Sequence, residues 1–430
     1  MAEAFDAVVV GGGAAGLAAA RVFSQHGMRA LLLEARGRLG GRIDTRIVPN
    51  LPVPLEMGAE FVHGSAQITF DLLREAGAAV LDVPHSQWER IGTELREAGD
   101  GFDRADRLLE RAGNVRDDMS VDAFLERCKE EGCDDDAVRW FRWFVEGFDA
   151  ADPGRAGLHA IVEEWNGPEL AGRQGRPLGG YAALLRALRA SIDPRLVDIR
   201  LHAIVEEIAW KRGAVRVSGR RHGEKFEIGA KRAVLTVPLG VLATLRFVPA
   251  LDARKQRALE MLTMGPVVKV ALVFRRRWWE ELRGGAYAEG SFFHRHDADF
   301  PTFWTQAPIR APVLTAWAGG PRAEALEGLN ETQILRRALH ALQATFPERV
   351  ELDAELETAL VADWSADPFA CGAYSYVLVG GQGSRDDLAA PVDGTLFFAG
   401  EATSTDYSGT VSGALESGTR AARATVTART

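Results

Sequence analysis

The chain has 430 residues, 47% of them hydrophobic and 26% charged, a soluble globular composition with material for two or three domains. Its formal net charge of −9 argues against a nucleic-acid binder, which would show a basic face, and is compatible with a cationic substrate. Cys128, Cys133 and Cys371 are odd in number and make no CxxC, so the expectation is a reducing, cytoplasmic compartment with no disulfide framework and no metal site.

The N-terminal MAEAFD is acidic and the apolar run behind it is rich in glycine, which does not make a signal peptide. No uncharged apolar run reaches the roughly 18 residues of a membrane span. From Phe5 to Arg42 the sequence reads FDAVVVGGGAAGLAAARVFSQHGMRALLLEARGRLGGR. AVVV is a short buried strand, LAAARVFSQHG a helix ending at Gly27, and RALLLE a second strand ending at Glu34. GGGAAG fits GxGxxG through Gly11, Gly13 and Gly16, with Glu34 lying 23 positions after Gly11. Gly11 permits the tight turn, Gly13 lets a pyrophosphate approach the backbone, and Gly16 lets the helix pack on the strand. The pyrophosphate would sit at the helix N-terminus, where free N–H groups favour anions. Glu34 would accept from the ribose hydroxyls and repel a 2′-phosphate, so the dinucleotide is NAD or FAD and not NADP. Just beyond, ARGRLGGR offers Arg38, Gly40, Gly41 and Arg42, whose guanidinium groups could reach the same pyrophosphate.

Residues 84–193 read as mostly helical, through DRLLERAG, SVDAFLERC and DAVRWFRWFVEGFD. In the last, Trp140, Phe144 and Phe148 recur at helical spacing with Phe141 and Val145 beside them. That pattern suits a core helix or the wall of a substrate channel. Residues 194–258 carry two strand-like runs, RLHAIVEEIAW and RAVLTVPLGVL. Residues 259–390 carry strand-like VVKVALVF, FPTFWTQ, VLTAWAGG and GAYSYVLVG, with a helix at ETQILRRALHALQATF. VVKVALVF poses a problem. Lys269 shares a face with Val267, Ala271 and Val273, and neither face of the strand looks wet. A buried ammonium is costly unless it is paired or neutral; the alternative is a lysine whose head snorkels to water. Residues 391–430 offer a strand (LFFA), Gly400 and Glu401, a polar turn, and a helix from about Gly409 whose N-terminus can face a ring carrying developing negative charge.

These segments resemble the flavin-dependent amine oxidases, the family of monoamine oxidases, polyamine oxidases and lysine-specific histone demethylases. GGGAAG, EARGRLGGR, LEMGAEFVHG, PLGGYAALLRAL, RAVLTVPLGVL, VVKVALVF, WSADPFACGAYSYV and LFFAGEATSTDYSGTVSGA match in family order. The resemblance implies an α/β, two-domain fold. A Rossmann-like FAD-binding domain would be assembled from residues 1–83, 194–258 and 391–430. An α+β substrate domain with a mixed or antiparallel sheet would come from 84–193 and 259–390. It implies FAD contacted by Gly11, Gly13, Ala14, Ala15, Gly16, Glu34, Ala35, Arg36, Gly41, Arg42, Gly58, Ala59, Glu60, Val205, Trp364, Gly400, Glu401, Gly409, Thr410 and Val411. It implies oxidation of a small-molecule amine in the manner of polyamine oxidases, O₂ as acceptor, H₂O₂ as product, and a monomer or homodimer.

The same resemblance assigns roles. Lys269 matches the family lysine that binds flavin N5 through a water. Tyr374 and Thr410 match the two side chains standing over the flavin, so the cage is aromatic on one side only. Ala373 stands where monoamine oxidases carry a flavin-linked cysteine; with Cys371 two residues earlier on the same strand face, non-covalent FAD is expected. Glu60 and His63 match an acid and a histidine near the substrate, where His63 could take the amine's proton and Glu60 could hold a distal ammonium. An L-amino-acid oxidase of the same fold would need an arginine facing a carboxylate, for which Arg295 and Arg310 are candidates. A scaffold protein with a structural flavin is the reading outside catalysis.

Overall fold

The structure is a computed structural model, and it describes residues 5–99, 101–167 and 174–428. The first unit is β1 (Phe5–Val10), α1 (Ala14–Gln25) and β2 (Ala30–Leu33). β1 and β2 are parallel, with Val8 opposite Leu31 and Val10 opposite Leu33. All but one of the residues in these two strands are buried, the mark of a parallel strand covered on both faces. Strand Val197–Arg200 extends the parallel set beyond β2. On the other side β1 meets the C-terminal half of the long strand Glu224–Leu235, whose last residues pair in turn with Leu396–Phe398. The N-terminal half of Glu224–Leu235 turns antiparallel to Ala214–Arg221, which pairs with Ala203–Lys211. One eight-stranded sheet is therefore stitched from both ends and the middle of the chain.

α1 is alanine-rich because it is covered on two sides. It lies on the sheet and against the last helix, Val411–Thr427, in one apolar cluster. A Cβ on Gly418 would come within 2.1 Å of the Ala15 carbonyl oxygen, so the two backbones touch there. Helix Ala182–Ala190 joins the same cluster through Leu184 and Leu188.

A second sheet has seven strands, in the order Leu356–Asp363, Val267–Phe274, Val313–Gly319, Thr302–Thr305, Phe292–His294, Gln87–Ile91 and Glu94–Ala98. The pairs are antiparallel except Phe292–His294 with Gln87–Ile91. The last two strands form a hairpin at the start of a stretch read as mostly helical. Its QWERIGTELREA is too charged to advertise burial, and most of the final strand is exposed. RAVLTVPLGVL also differs from expectation. The strand stops at Leu235, and Pro238 caps a short helix, Leu239–Leu242. Strand Tyr374–Val377 stands apart, pairing with Leu262–Gly265 in a sheet of two. Helix Asp135–Gly147, capped by Asp134, splits the aromatic stripe. Trp140, Phe141 and Val145 are fully buried, while Trp143, Phe144 and the following Phe148 line a cavity. Among the described residues no helix is long and apolar enough to cross a membrane.

Candidate active site

Both large sheets contribute walls to one cavity of about 510 Å³. It begins at the turn after β1. There Gly11 has φ +111°, and a Cβ on Gly16 would fall 1.9 Å from the Gly11 carbonyl oxygen. No side chain caps α1, whose N-cap is Gly13, so its first amides keep their capacity for a ligand. Gly13 differs from its neighbours. A Cβ there would meet nothing nearer than 4.0 Å, so its openness faces the cavity. Glu34 closes this end. Its oxygens accept from the amides of Gly12 at 2.7 Å and Arg36 at 2.8 Å, two of the roughly four acceptor positions of a carboxylate. Dinucleotide phosphates and a ribose fit these residues.

The cavity continues past Ala14, Ala15, Ala35, Arg36, Gly41 and Arg42 to Gly58, Ala59 and Trp364, and it takes in Val205 at a bulge of its strand. A Cβ on Gly58 would meet the Arg42 carbonyl oxygen at 1.8 Å, and Trp364 donates to the Met57 carbonyl at 2.9 Å. Each arginine of this segment has a protein partner. Arg38 donates to the carbonyls of Ile43 and Gly41 and does not line the cavity. Arg36 pairs with Asp367 at 2.5 Å. Arg42 donates to Glu401 at 2.9 Å, tying the glycine-rich segment after β2 to the C-terminal segment. Burial pushes the Glu401 carboxyl up, but Arg42, Arg385 and the Ser375 hydroxyl outweigh it and hold it below its ordinary value. Glu401 also accepts from the Gly409 amide at 3.2 Å, fixing the turn that carries Thr410. Gly400, Gly409, Thr410 and Val411 all line the cavity.

Lys269 is 1% exposed and its partner is Glu60, 5% exposed, at 2.6 Å. Its ammonium also donates to the Gly58 carbonyl at 3.2 Å and lies 5.3 Å from the centre of the Trp304 ring. The strand explains the direction. Val268, Val270, Leu272 and Phe274 enter an aromatic core, so the alternate residue Lys269 faces the glycine-rich segment instead. Glu60 takes more than one donor: Arg176 at 2.9 Å, Trp304 Nε1 at 3.1 Å and Gln306 at 3.4 Å besides the lysine. Burial raises the Glu60 carboxyl, but Lys269 and Arg176 more than offset this and keep it below its usual value.

Tyr374 and Thr410 both line the cavity, and a Cβ on the intervening Gly409 would touch the Tyr374 ring at 3.4 Å. The Tyr374 hydroxyl donates to the Phe148 carbonyl at 2.5 Å. Thr410 caps the last helix, accepting from the Gly413 amide at 3.0 Å. His63 lies among apolar rings, and burial pushes its pKa down to about 4. Cys371 is not on the strand with Tyr374. It sits in the preceding bend at φ +53°, while Ala373 lines the cavity and Cys371 does not. Arg295 and Arg310 also lie outside the lining, paired with Asp297 and Glu280.

The family model for flavin containing amine oxidoreductases matches residues 14–426. The chain belongs to that family. This flavin amine oxidoreductase is 30% identical to Polyamine oxidase 4 of Oryza sativa subsp. japonica, across 96% of this chain and 87% of the relative. It is 28% identical to Lysine-specific histone demethylase 1 homolog 3 of Arabidopsis thaliana, across 96% of this chain but 29% of that longer protein. Among solved structures, putrescine oxidase bound to putrescine superimposes with a TM-score of 0.82 at 20% identity, covering 98% of this chain and 99% of the other. Cyclohexylamine oxidase from Brevibacterium oxydans IH-35A gives 0.81 at 19% identity, covering 98% of each. At those identities the likeness speaks to the fold.

Sequence reasoning missed several parts of the flavin protein's cavity. Thr236 donates to the Val10 and Gly11 carbonyls at 2.9 and 3.0 Å, bracing the glycine turn. The strand-to-proline signal LTVPLG could have marked it. Phe292, His294 and Trp304 form the far wall, and Arg176 stands behind Glu60. Nothing local distinguishes these from core residues.

Proposed function

We propose that this chain binds FAD without a covalent link and oxidises an amine to an imine, which water splits into an aldehyde or ketone and an amine or ammonia. Electrons would leave to O₂, giving H₂O₂. Bound in the cavity, the flavin supplies the two-electron chemistry at the amine's α-carbon. Position and electrostatics fall to the side chains. The observation that carries the reading is the buried Lys269–Glu60 pair on the cavity wall, continuous with the dinucleotide turn.

The Gly11–Gly16 turn and Glu34 hold the phosphates and ribose. Lys269, fixed by Glu60, presents a positive charge that favours negative charge developing beside it and can hold a water. Tyr374 offers an aromatic face to the amine, and Thr410 leaves the opposite side open. His63 acts as a neutral wall. With its pKa near 4 it is a poor base for an ammonium, so the substrate sheds its proton to solvent. Ala373 leaves the flavin unbonded. We infer a flavin-binding half close to residues 1–83, 194–258 and 391–430, and a substrate half from 84–193 and 259–390, with helix Ala182–Ala190 joining the former through its packing on α1. Three free cysteines suit a reducing, cytoplasmic site of action.

The test is anaerobic mixing of the yellow protein with polyamines, monoamines and L-amino acids while flavin absorbance is followed. Bleaching by amines supports the reading. Bleaching by amino acids alone, or by nothing with FAD bound, would overturn it.

A further inference from the structure

The cavity beyond Lys269 is largely aromatic, and each carboxylate described on its lining already has a partner. Phe61, Trp143, Phe144, Phe148, Phe292 and Trp304 line it. Phe292 and His294 share a strand face, and their rings lie 6° from parallel. Burial pushes His63 down to about 4 and, with His296 alongside, His294 down to about 3, so these two buried histidines are neutral near pH 7. Among the described lining residues the carboxylates are Glu34, Glu60, Asp149, Glu164 and Glu401. Each is engaged. Glu34 accepts from two amides, Asp149 from Trp165 at 3.1 Å, Glu164 pairs with Arg385 at 2.7 Å and Glu401 with Arg42. Glu60, the acid nearest the aromatic wall, faces two cations. Those cations also take the ring faces that could attract an ammonium, Arg176 over Phe61 at 4.9 Å and Lys269 over Trp304.

Resting on the amine-oxidation reading, we propose that this cavity selects an amine with a single basic nitrogen on an apolar or aromatic body, and discriminates against a second ammonium. The far end of the substrate lies on the Phe292–His294–Trp304 wall. There an alkyl or aryl group finds matching surface. A distal ammonium would give up its hydration where, among the described lining residues, every carboxylate already has a partner. The buried cluster of Lys269, Arg176 and Glu60 carries one net positive charge and adds repulsion.

The experiment compares kcat/KM for hexylamine, phenethylamine, hexamethylenediamine and spermidine on the FAD-loaded enzyme at neutral pH. The expected result is a preference of about tenfold or more for hexylamine over hexamethylenediamine, molecules that differ at the far end by one ammonium. Equal or better use of the diamine would overturn the inference while leaving amine oxidation intact. Flavin that no amine bleaches would overturn both. His294→Asp places a carboxylate on the wall, and Phe292→Asp serves if that variant does not fold. Either should shift the ratio toward the diamine by about tenfold. An unchanged ratio in a yellow, folded variant would overturn the placement of the substrate's far end.

Discussion

Glu60 accepts from Lys269, Arg176, Trp304 and Gln306, so the two cations depend on it more than it depends on either. Glu60→Gln would leave two buried cations with no counter-charge, a loss of about 3–5 kcal/mol. Lys269→Met leaves Glu60 with Arg176 and should cost about 1–2 kcal/mol. Denaturant melts of both variants check the order; a Lys269→Met protein as unstable as Glu60→Gln would contradict the charge balance. Lys269→Met should also stay yellow and turn over more slowly. The buried histidine wall adds a pH dependence. His294 sits at about 3 against 6.5 when unfolded, so between those values the unfolded chain binds the extra proton. The stability His294 contributes is whole above pH 6.5 and falls as pH drops through that window, by up to about 5 kcal/mol. Melts of wild type and His294→Gln from pH 7 to 4 should converge as the pH falls. Glu56 works the other way, its buried carboxyl raised to about 7, so single-site variants are needed to separate the slopes.

Among the elements, the turn into α1 separates two uses of glycine. Gly16 is needed by the fold, because any Cβ would strike the Gly11 carbonyl. Gly13 has room for a side chain within the protein, and only a pyrophosphate would need the space. Gly13→Val should therefore purify folded but colourless, whereas Gly16→Val should fail to accumulate. Flavin absorbance and circular dichroism distinguish these outcomes, and a yellow Gly13→Val would contradict the placement of the phosphates. At the other end Thr410→Ala removes the cap of Val411–Thr427 and should cost about 1 kcal/mol, with Thr410→Ser restoring it. Elements of this kind were legible in the sequence. The strands Val267–Phe274 and Val313–Gly319 and the helix Glu331–Thr345 follow from apolar period and caps. The hairpin Gln87–Ala98 was not, because a partly exposed edge pair carries charges that read as loop or helix.

Across the whole molecule, the parallel core takes strands from residues 5–33, 197–235 and 396–398, and the last helix lies on the first. A chain ending at Ala390 lacks both the closing strand and the helix that buries α1. It should be insoluble and colourless, as soluble yield and absorbance would report; a folded, yellow truncation would show that the two ends are energetically separate. The sequence by itself determined what depends on neighbours along the chain. GxGxxG between strand and helix, Glu34 at the next strand end, and a lysine out of place on an apolar strand are all local patterns set by backbone sterics and side-chain period. Only the tertiary structure decided what that lysine meets. Its partner Glu60 lies 209 positions away, and Arg176 reaches the same carboxylate from a third segment. The polarity of the cavity was likewise hidden, because a carboxylate in the sequence is one charge, while in the fold its neighbours decide whether any of that charge is left for a ligand.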